Sequence, residues 1–327
     1  MRKKILDRRK SMLYNIRKRK YGFSRRRLKF LYLLPYQKKE EFMHPEPILE
    51  FTLFNHTFSI TLYGICISVG LIACLIVLKL YTDHRKMKQA VQDFIFFVAI
   101  LAIALGFVGA MLFQSVYNYI EKGVWEFGAI TAMGGFITGT AVFIAAYFGI
   151  GHFYFARGEL KDAHKKEFNT ILQVAPICVT IAHAFGRIGC LMAGCCHGAE
   201  VDGPGHGGIY MSDGYYIPTQ LYESIFLFIL FGVLSLLYFK RFNVIPVIYL
   251  ISYGIWRFII EFFRTDDRGS VGLGITPSQF QSIVFVLAGI AIFLVWYFKK
   301  YPFREPLKES VAESETKESI SPKDGEE

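Results

Sequence analysis

The stretch Thr61–Leu80, "TLYGICISVGLIACLIVLKL", contains one charged residue, Lys79, in 20 positions. A helix of about 20 residues is long enough to cross a hydrocarbon layer of about 30 Å. Within lipid, the backbone can satisfy its hydrogen bonds only as a helix or as a closed barrel. Because the apolar residues follow one another without the alternation of a barrel strand, the stretch predicts a transmembrane helix.

The same pattern recurs along the 327-residue chain, of which 53% is hydrophobic and 20% is charged. A soluble protein of this length would interrupt its apolar runs with charge every few residues. Seven nearly uncharged segments each reach membrane-spanning length: 57–81, 92–120, 129–150, 168–191, 217–239, 244–263 and 278–298. We therefore expect an all-α integral membrane protein, built as a seven-transmembrane-helix bundle.

The charges of the short loops predict the orientation of this bundle, because Lys and Arg stay on the cytoplasmic side. The loop 82–91, "TDHRKMKQAV", has a net charge of +2, whereas the connection 192–216 has a net charge of −3. The loops alternate in this way along the chain. The alternation places the start of the first helix outside the cell and the C-terminus in the cytoplasm.

The N-terminal segment 1–42 conflicts with this orientation, since it carries 16 basic and 3 acidic residues. Three interpretations are open: a basic arm that binds anionic lipid or nucleic acid, a targeting segment, or a non-native start upstream of Met43. The segment lacks the apolar region of a signal peptide. A start at Met43 removes the conflict and is favoured, and the remaining chain then has a net charge of −3. We therefore expect no nucleic-acid partner.

These observations divide the chain into three parts. After the basic extension 1–42, we expect a seven-helix membrane domain over 43–300. The tail 301–327, which ends in "EPLKESVAESETKESISPKDGEE", is acidic, rich in serine and poor in apolar residues. Such a composition cannot bury enough apolar surface to fold, so the tail is predicted to be disordered and cytoplasmic.

Ionisable residues inside the predicted spans indicate a functional site, because each is costly in lipid unless it is paired or faces water. Arg257 and Glu261 are four residues apart and share a helix face, which predicts an ion pair. We expect Arg187 to remain without a carboxylate of its own. Glu223 in the fifth span either pairs with an arginine or lines a polar cavity. Two arginines at one end of the bundle suit an anionic ligand, since a guanidinium binds two phosphate oxygens at once.

Polar and small residues extend this expected site. The fifth span opens with "IPTQLYES", in which Gln220, Tyr222 and Glu223 are expected to contact substrate. The third span contains "MGGFITG", in which Gly134 and Gly135 either allow a substrate to approach the backbone or serve helix packing.

The cysteines Cys190, Cys195 and Cys196 cluster at the end of the fourth span, followed by His197. The spacing C-x4-C-C-H is not one of the strong zinc patterns, such as paired C-x2-C units, so no metal site is predicted. A disulfide and a nucleophilic thiol remain open.

The motifs "TLYG", "MGGFITG", "GRIGCLMAGCCHG", "PTQLYES" and "YGIWRFIIEFFR" occur in this order over five predicted helices. Together they resemble the bacterial prolipoprotein diacylglyceryl transferase family, over roughly Met43 to Phe298. The resemblance implies a multi-pass enzyme of the bacterial inner membrane. It would transfer the diacylglyceryl group of phosphatidylglycerol to the lipobox cysteine of a preprolipoprotein signal peptide, release glycerol phosphate, and need no cofactor.

The resemblance also implies roles for single residues. The catalytic tyrosine of the family falls on Tyr63, and the arginine of its signature falls on Arg187. The sixth-helix pair falls on Arg257 and Glu261, and the closing glycine of the signature falls on Gly198. Arg187 and Arg257 would then hold the phosphate and its developing negative charge.

The sequence departs from the family pattern at several positions. Amide and carboxylate positions of the signature carry Cys190, Ala193 and Cys195, the third helix has Met133 where a proton-accepting residue is usual, and Ile217 replaces a histidine. A base is then required elsewhere, and His183, His197 or Glu261 are the candidates. The alternative function is a divergent relative that binds anionic lipid or uses the cysteine cluster for thiol or metal chemistry.

Overall fold

The computed structural model describes residues 46–53, 56–126, 130–211, 214–264 and 274–304. Seven α-helices dominate this part of the chain: α1 Leu62–His84, α2 Gln89–Lys122, α3 Ala132–Tyr154, α4 Ala163–Met192, α5 Thr219–Phe239, α6 Ile245–Ile260 and α7 Pro277–Phe298. A short 3₁₀ helix, Glu261–Phe263, continues α6, and another, Pro204–His206, lies between α4 and α5. With the 3₁₀ helix Glu261–Phe263 included in the sixth, all seven are long and apolar enough to cross a membrane. The predicted all-α, seven-span architecture is therefore confirmed.

Five short strands were not predicted from the sequence. Strands β1 Leu49–Leu53 and β2 His56–Ile60 form an antiparallel hairpin before α1. Strands β3 Glu200–Val201, β4 Ile209–Met211 and β5 Gly214–Tyr216 form a small sheet in the order β3-β5-β4 between α4 and α5.

The helix ends differ from the predicted spans where local capping overrides hydrophobicity. The first span was predicted from residue 57, but α1 begins at Leu62 because the Thr61 side chain accepts a hydrogen bond from the Gly64 amide (3.1 Å). The second helix extends past its predicted end and terminates at Gly123, whose φ of 72° is left-handed. Thr276 forms a capping box with Gln279 at the start of α7.

The helices pack mainly as α1 with α4, α2 with α3, α4 with α5, and α6 with α7. Glycines allow two of these approaches. A Cβ on Gly134 of α3 would lie 2.5 Å from Cβ of Phe113 on α2, and one on Gly254 of α6 would lie 2.9 Å from the Ser282 carbonyl oxygen on α7. Close approach through small residues is typical of helices packed in a membrane.

The interior and the exterior of the bundle are both mainly apolar. The interior includes the fully buried side chains of Tyr147, Ile177, Leu227 and Tyr238. On the outside, large apolar side chains are exposed along the helices, among them Ile72, Phe97, Ile229 and Leu287. An apolar exterior of this extent suits a lipid environment, since soluble monomers rarely expose such patches. The basic segment 1–42 and the tail after residue 304 lie outside the described residues.

Candidate active site

An ion pair connects α4 to α5 near one end of the bundle. Nε of Arg187 lies 2.9 Å from Oε2 of Glu223, whose side chain is fully buried. The expectation that Arg187 has no carboxylate was wrong, because the partner lies on a neighbouring helix, where sequence spacing gives no information. The alternative in which Glu223 pairs with an arginine is confirmed.

Two further side chains approach the same carboxylate. The Tyr253 hydroxyl on α6 donates a hydrogen bond to Oε1 of Glu223 (3.0 Å). Nε2 of His183 on α4 lies 3.8 Å from the same oxygen, and its ring packs edge-on against Tyr253. Glu223 thus joins α4, α5 and α6 through one buried carboxylate.

The second ion pair lies one helical turn after Tyr253. Nη2 of Arg257 is 3.0 Å from Oε2 of Glu261 and donates a hydrogen bond to Oγ of Ser278 on α7 (2.7 Å). The Thr276 hydroxyl donates to Oε1 of Glu261 (3.1 Å). The pair predicted from the four-residue spacing is confirmed, and the start of α7 supports both of its members.

One guanidinium nitrogen of Arg257, Nη1, stands apart from these contacts. Nη1 of Arg257 is buried and, within the part of the chain that the structure describes, makes no hydrogen bond. The residue as a whole is 6% exposed. A buried, unsatisfied guanidinium nitrogen is costly, so a ligand that accepts a hydrogen bond there would stabilise the site.

Tyr63 lies against the helix that carries Arg187. A Cβ on Gly189 would be 3.1 Å from Cδ2 of Tyr63, so glycine allows the tyrosine to pack on α4. The second turn of α1 adds Cys66, whose Cβ would lie 3.3 Å from the same position. The start of α1 therefore lies beside Gly189 in the last turns of α4. Gly189 follows Arg187 by two residues.

The loop after α4 is anchored through its main chain. The Thr219 hydroxyl and the Gln220 amide, both at the start of α5, donate to the carbonyl oxygens of Cys196 and Cys195 (3.0 and 3.2 Å). Gly198 is enclosed: a Cβ there would lie 2.4 Å from the carbonyl oxygen of Phe263. Gln220 and Gly198 thus contact the protein itself in this structure.

The three cysteine sulfurs come together where the last turn of α4 meets this loop. The Sγ atoms of Cys190, Cys195 and Cys196 all lie within 4.8 Å of one another. Hydrogen bonds with the thiols of Cys190 and Cys195, followed by the charges of Arg187 and Arg264, lower the pKa of the Cys196 thiol, although burial opposes this. A thiol with a lowered pKa near a guanidinium, as at Cys196, is suited to metal binding or to nucleophilic chemistry.

The other predicted residues occupy distinct places. His197 packs its ring on Tyr216, with ring centroids 4.0 Å apart, and its Nδ1 lies 3.1 Å from the Gly198 carbonyl oxygen. Tyr222 is on the exposed side of α5, at 38% exposure. Gly134 and Gly135 lie in the contact between α2 and α3, against Phe113 and Ala110. The predicted contact of Tyr222, Gly134 and Gly135 with substrate stays a prediction.

Three contributors were missed in the sequence. Tyr253 could have been found, because it precedes Arg257 by four residues and therefore shares its helix face. Ser278 and Thr276 follow a loop after the sixth span, and their spacing alone carries no signal. They contribute through the contact between α6 and α7, which only the fold shows.

Comparison with known proteins gives a consistent result. A family model described as prolipoprotein diacylglyceryl transferase matches residues 51–296. A phosphatidylglycerol–prolipoprotein diacylglyceryl transferase of Clostridium tetani is 31% identical over 255 residues, covering 73% of this chain and 94% of that protein. One from Clostridium perfringens is 34% identical over 71% of this chain and 89% of its own length. One from Streptococcus pneumoniae is 31% identical over 74% of this chain and 91% of its own length.

Proposed function

This chain belongs to the prolipoprotein diacylglyceryl transferase family, and we propose that it transfers the diacylglyceryl group of phosphatidylglycerol to the cysteine thiol of preprolipoproteins. The similarity covers nearly the whole of each relative, which favours this activity over lipid binding alone. The seven apolar helices make it a multi-pass membrane protein. We place it in the bacterial inner membrane, with the start of α1 outside and the C-terminus in the cytoplasm, as the loop charges predict.

The reaction requires a site for a growing negative charge. The substrate sulfur attacks a carbon of the diacylglyceryl group, an S–C bond forms, and the C–O bond to the phosphate breaks. The electron pair stays on the departing glycerol phosphate, which gains one negative charge, and the thiol proton goes to a base. Pre-placed donors that stabilise such a charge are commonly the largest single contribution of an enzyme.

The observation that carries the proposal is the free donor on Arg257. Its Nη2 is held by Glu261 and Ser278, while the buried Nη1 has no hydrogen-bond partner in the described residues. The arginine is therefore fixed in place with its Nη1 nitrogen available to donate to a phosphate oxygen. Glu223 on α5 holds Arg187 in place through the Nε atom. We assign Arg187 a second contact with the same phosphate.

We assign the proton-accepting role to His183 in preference to His197. His183 lies one helical turn before Arg187 and approaches Glu223, inside the group of charged side chains. His197 instead packs against Tyr216 on the outer sheet. Tyr63, packed on Gly189 beside these residues, is assigned a hydrogen bond to the substrate.

The experiment is complementation of a bacterial strain depleted of its own transferase. Versions starting at Met1 and at Met43 are expressed, and growth and the modification of a reporter lipoprotein are measured. We expect wild-type protein to restore both and Arg257→Ala to restore neither. Arg157→Ala, at an exposed position between α3 and α4, is the matched control and should behave as wild type. Wild-type protein that reaches the membrane and does not modify the reporter would show that the proposal is wrong.

A further inference from the structure

The cysteine cluster has a composition and a geometry that the transferase reaction alone does not explain. Three sulfur atoms, from Cys190, Cys195 and Cys196, lie within 4.8 Å of one another. In a tetrahedral zinc–thiolate site, with Zn–S bonds of about 2.3 Å, the sulfur atoms are about 3.8 Å apart. Side-chain rotations that move each sulfur by about an ångström would therefore complete three ligands of such a site.

The backbone under the cluster is already shaped for it. Cys196 has a φ of 65°, a left-handed conformation that disfavours residues other than glycine, asparagine and aspartate. A main-chain role alone would therefore favour glycine at this position, whereas a cysteine here places its sulfur beside two others. The carbonyl oxygens of Cys195 and Cys196 accept hydrogen bonds from Gln220 and Thr219, so the loop is held from α5.

The charge balance also fits. A divalent ion with three thiolates has a net charge of −1. The positive charge of Arg264 acts on Cys196 in addition to that of Arg187, which is paired with Glu223, so the surroundings of the cluster favour a negative group. Thiolate ligands select thiophilic ions such as Zn²⁺ and Cu⁺ over Mg²⁺ or Ca²⁺. Although the spacing C-x4-C-C-H predicted no metal, the fold brings the three sulfurs together in a way that spacing does not show.

We propose that Cys190, Cys195 and Cys196 bind one thiophilic metal ion, with Zn²⁺ as the ion to test, and leave its fourth coordination position open to a thiol. No fourth histidine, cysteine or carboxylate of the described residues joins the group. Three protein ligands with an open position are typical of catalytic rather than structural zinc.

The open position suits the substrate, an assignment that rests on the proposed function. A metal-bound thiol loses its proton readily, so the ion would hold the lipobox sulfur as a thiolate next to Arg187. The thiol proton would pass to His183. The sulfur would then form its bond to the glyceryl carbon and leave the ion as a thioether, and the electron pair of the broken C–O bond would leave with glycerol phosphate. The ion itself undergoes no redox change.

Metal binding is tested on the full chain, purified in detergent under reducing conditions. The protein is stripped with a chelator, reloaded with Zn²⁺ and washed, and its zinc content is measured. We expect about one zinc per chain for wild type. Cys74→Ser, which removes a thiol of α1 outside the cluster, should keep this content, and each of Cys190→Ser, Cys195→Ser and Cys196→Ser should lose most of it.

A spectroscopic measurement on wild-type protein alone avoids any dependence on how the variants fold. Titration with Co²⁺ should produce thiolate-to-cobalt charge transfer and the visible bands of a tetrahedral ion, and Zn²⁺ should displace them. Absence of these bands, a zinc content near zero, or a stable disulfide within the cluster in mass spectra would each overturn the metal site.

The activity assay separates this inference from the transferase proposal. Chelation should lower the transfer rate of purified protein, and Zn²⁺ should restore it. Transfer that is unaffected by complete zinc removal would leave the transferase activity in place and overturn the substrate-thiol role of the ion. Stoichiometric zinc in a protein without transfer activity would retain the metal site and overturn the proposed function.

Discussion

Nε of Arg187 and Oε2 of Glu223 meet at 2.9 Å across the contact between α4 and α5, and no sequence spacing connects them. Both side chains are largely buried, the carboxylate completely so. Glu223 also accepts a hydrogen bond from Tyr253. One buried carboxylate thus connects α4, α5 and α6, which makes the pair a suitable first site for substitution.

Removing one member of this pair should destabilise the protein strongly. Glu223→Ala leaves a buried guanidinium without its carboxylate, at a cost of about 3–5 kcal/mol. The double variant Arg187→Ala/Glu223→Ala should unfold at a higher temperature than Glu223→Ala alone, because no buried charge is left uncompensated. The measurement is the midpoint of thermal unfolding in detergent. Asp83→Asn, at an exposed pair with Lys79, should leave the midpoint unchanged.

Transfer should require the two terminal guanidinium nitrogens of Arg257 as well as its positive charge. Arg257→Lys keeps a cation but cannot contact Ser278, Glu261 and a phosphate oxygen together. We expect the transfer rate to fall about 100- to 1,000-fold, the range for loss of one charge-stabilising donor. Ser278→Ala removes one of the two Nη2 contacts and leaves the one with Glu261, so it should lower the rate less. Equal rates for Arg257→Lys and wild type would exclude a forked contact.

Gly198 is predicted to act through packing. A Cβ would lie 2.4 Å from the Phe263 carbonyl oxygen, so Gly198→Ala should lower stability by about 1–3 kcal/mol. Gly203→Ala is the matched control: the space around it is open and its φ of 163° is extended. If Gly198→Ala lost activity at unchanged thermal stability, direct contact with substrate would be the better explanation.

Gly134 is a test of helix packing in the same sense. Its Cβ would lie 2.5 Å from Cβ of Phe113 on α2, and Gly134→Ala should reduce the unfolding midpoint. Gly149 lies on the same helix, and a Cβ placed on it would have no other part of the described structure within 4 Å. Gly149→Ala should therefore be neutral or slightly stabilising, because alanine favours helices. Identical midpoints for the two variants would contradict the packing role.

His183 should determine the pH dependence of transfer. A base must be unprotonated to accept the thiol proton, so the wild-type rate should fall as the pH decreases. His183→Gln should lower the rate and remove this acid-side decrease, whereas His206→Gln, at an exposed position, should keep it. If His197→Gln removes the decrease instead, the base is His197.

The fold was predictable because the length of each apolar segment can be read directly from the sequence. Seven nearly uncharged runs predicted seven helices, and the spacing of Arg257 and Glu261 alone placed them on one helix face. The partner of Arg187 was not predictable, since it lies on another helix. The cysteine geometry was equally hidden, because it depends on the left-handed turn at Cys196 and on donors from α5.

The loop after α4 is held at the carbonyl oxygens of Cys195 and Cys196 by Gln220 and Thr219, not at their side chains. During evolution, residues at these two positions can therefore be exchanged while the path of the loop is retained. The left-handed turn limits the second position to residues that tolerate a positive φ. One scaffold could thus acquire or lose a thiol cluster by a few substitutions, without rebuilding the helices that hold the arginines.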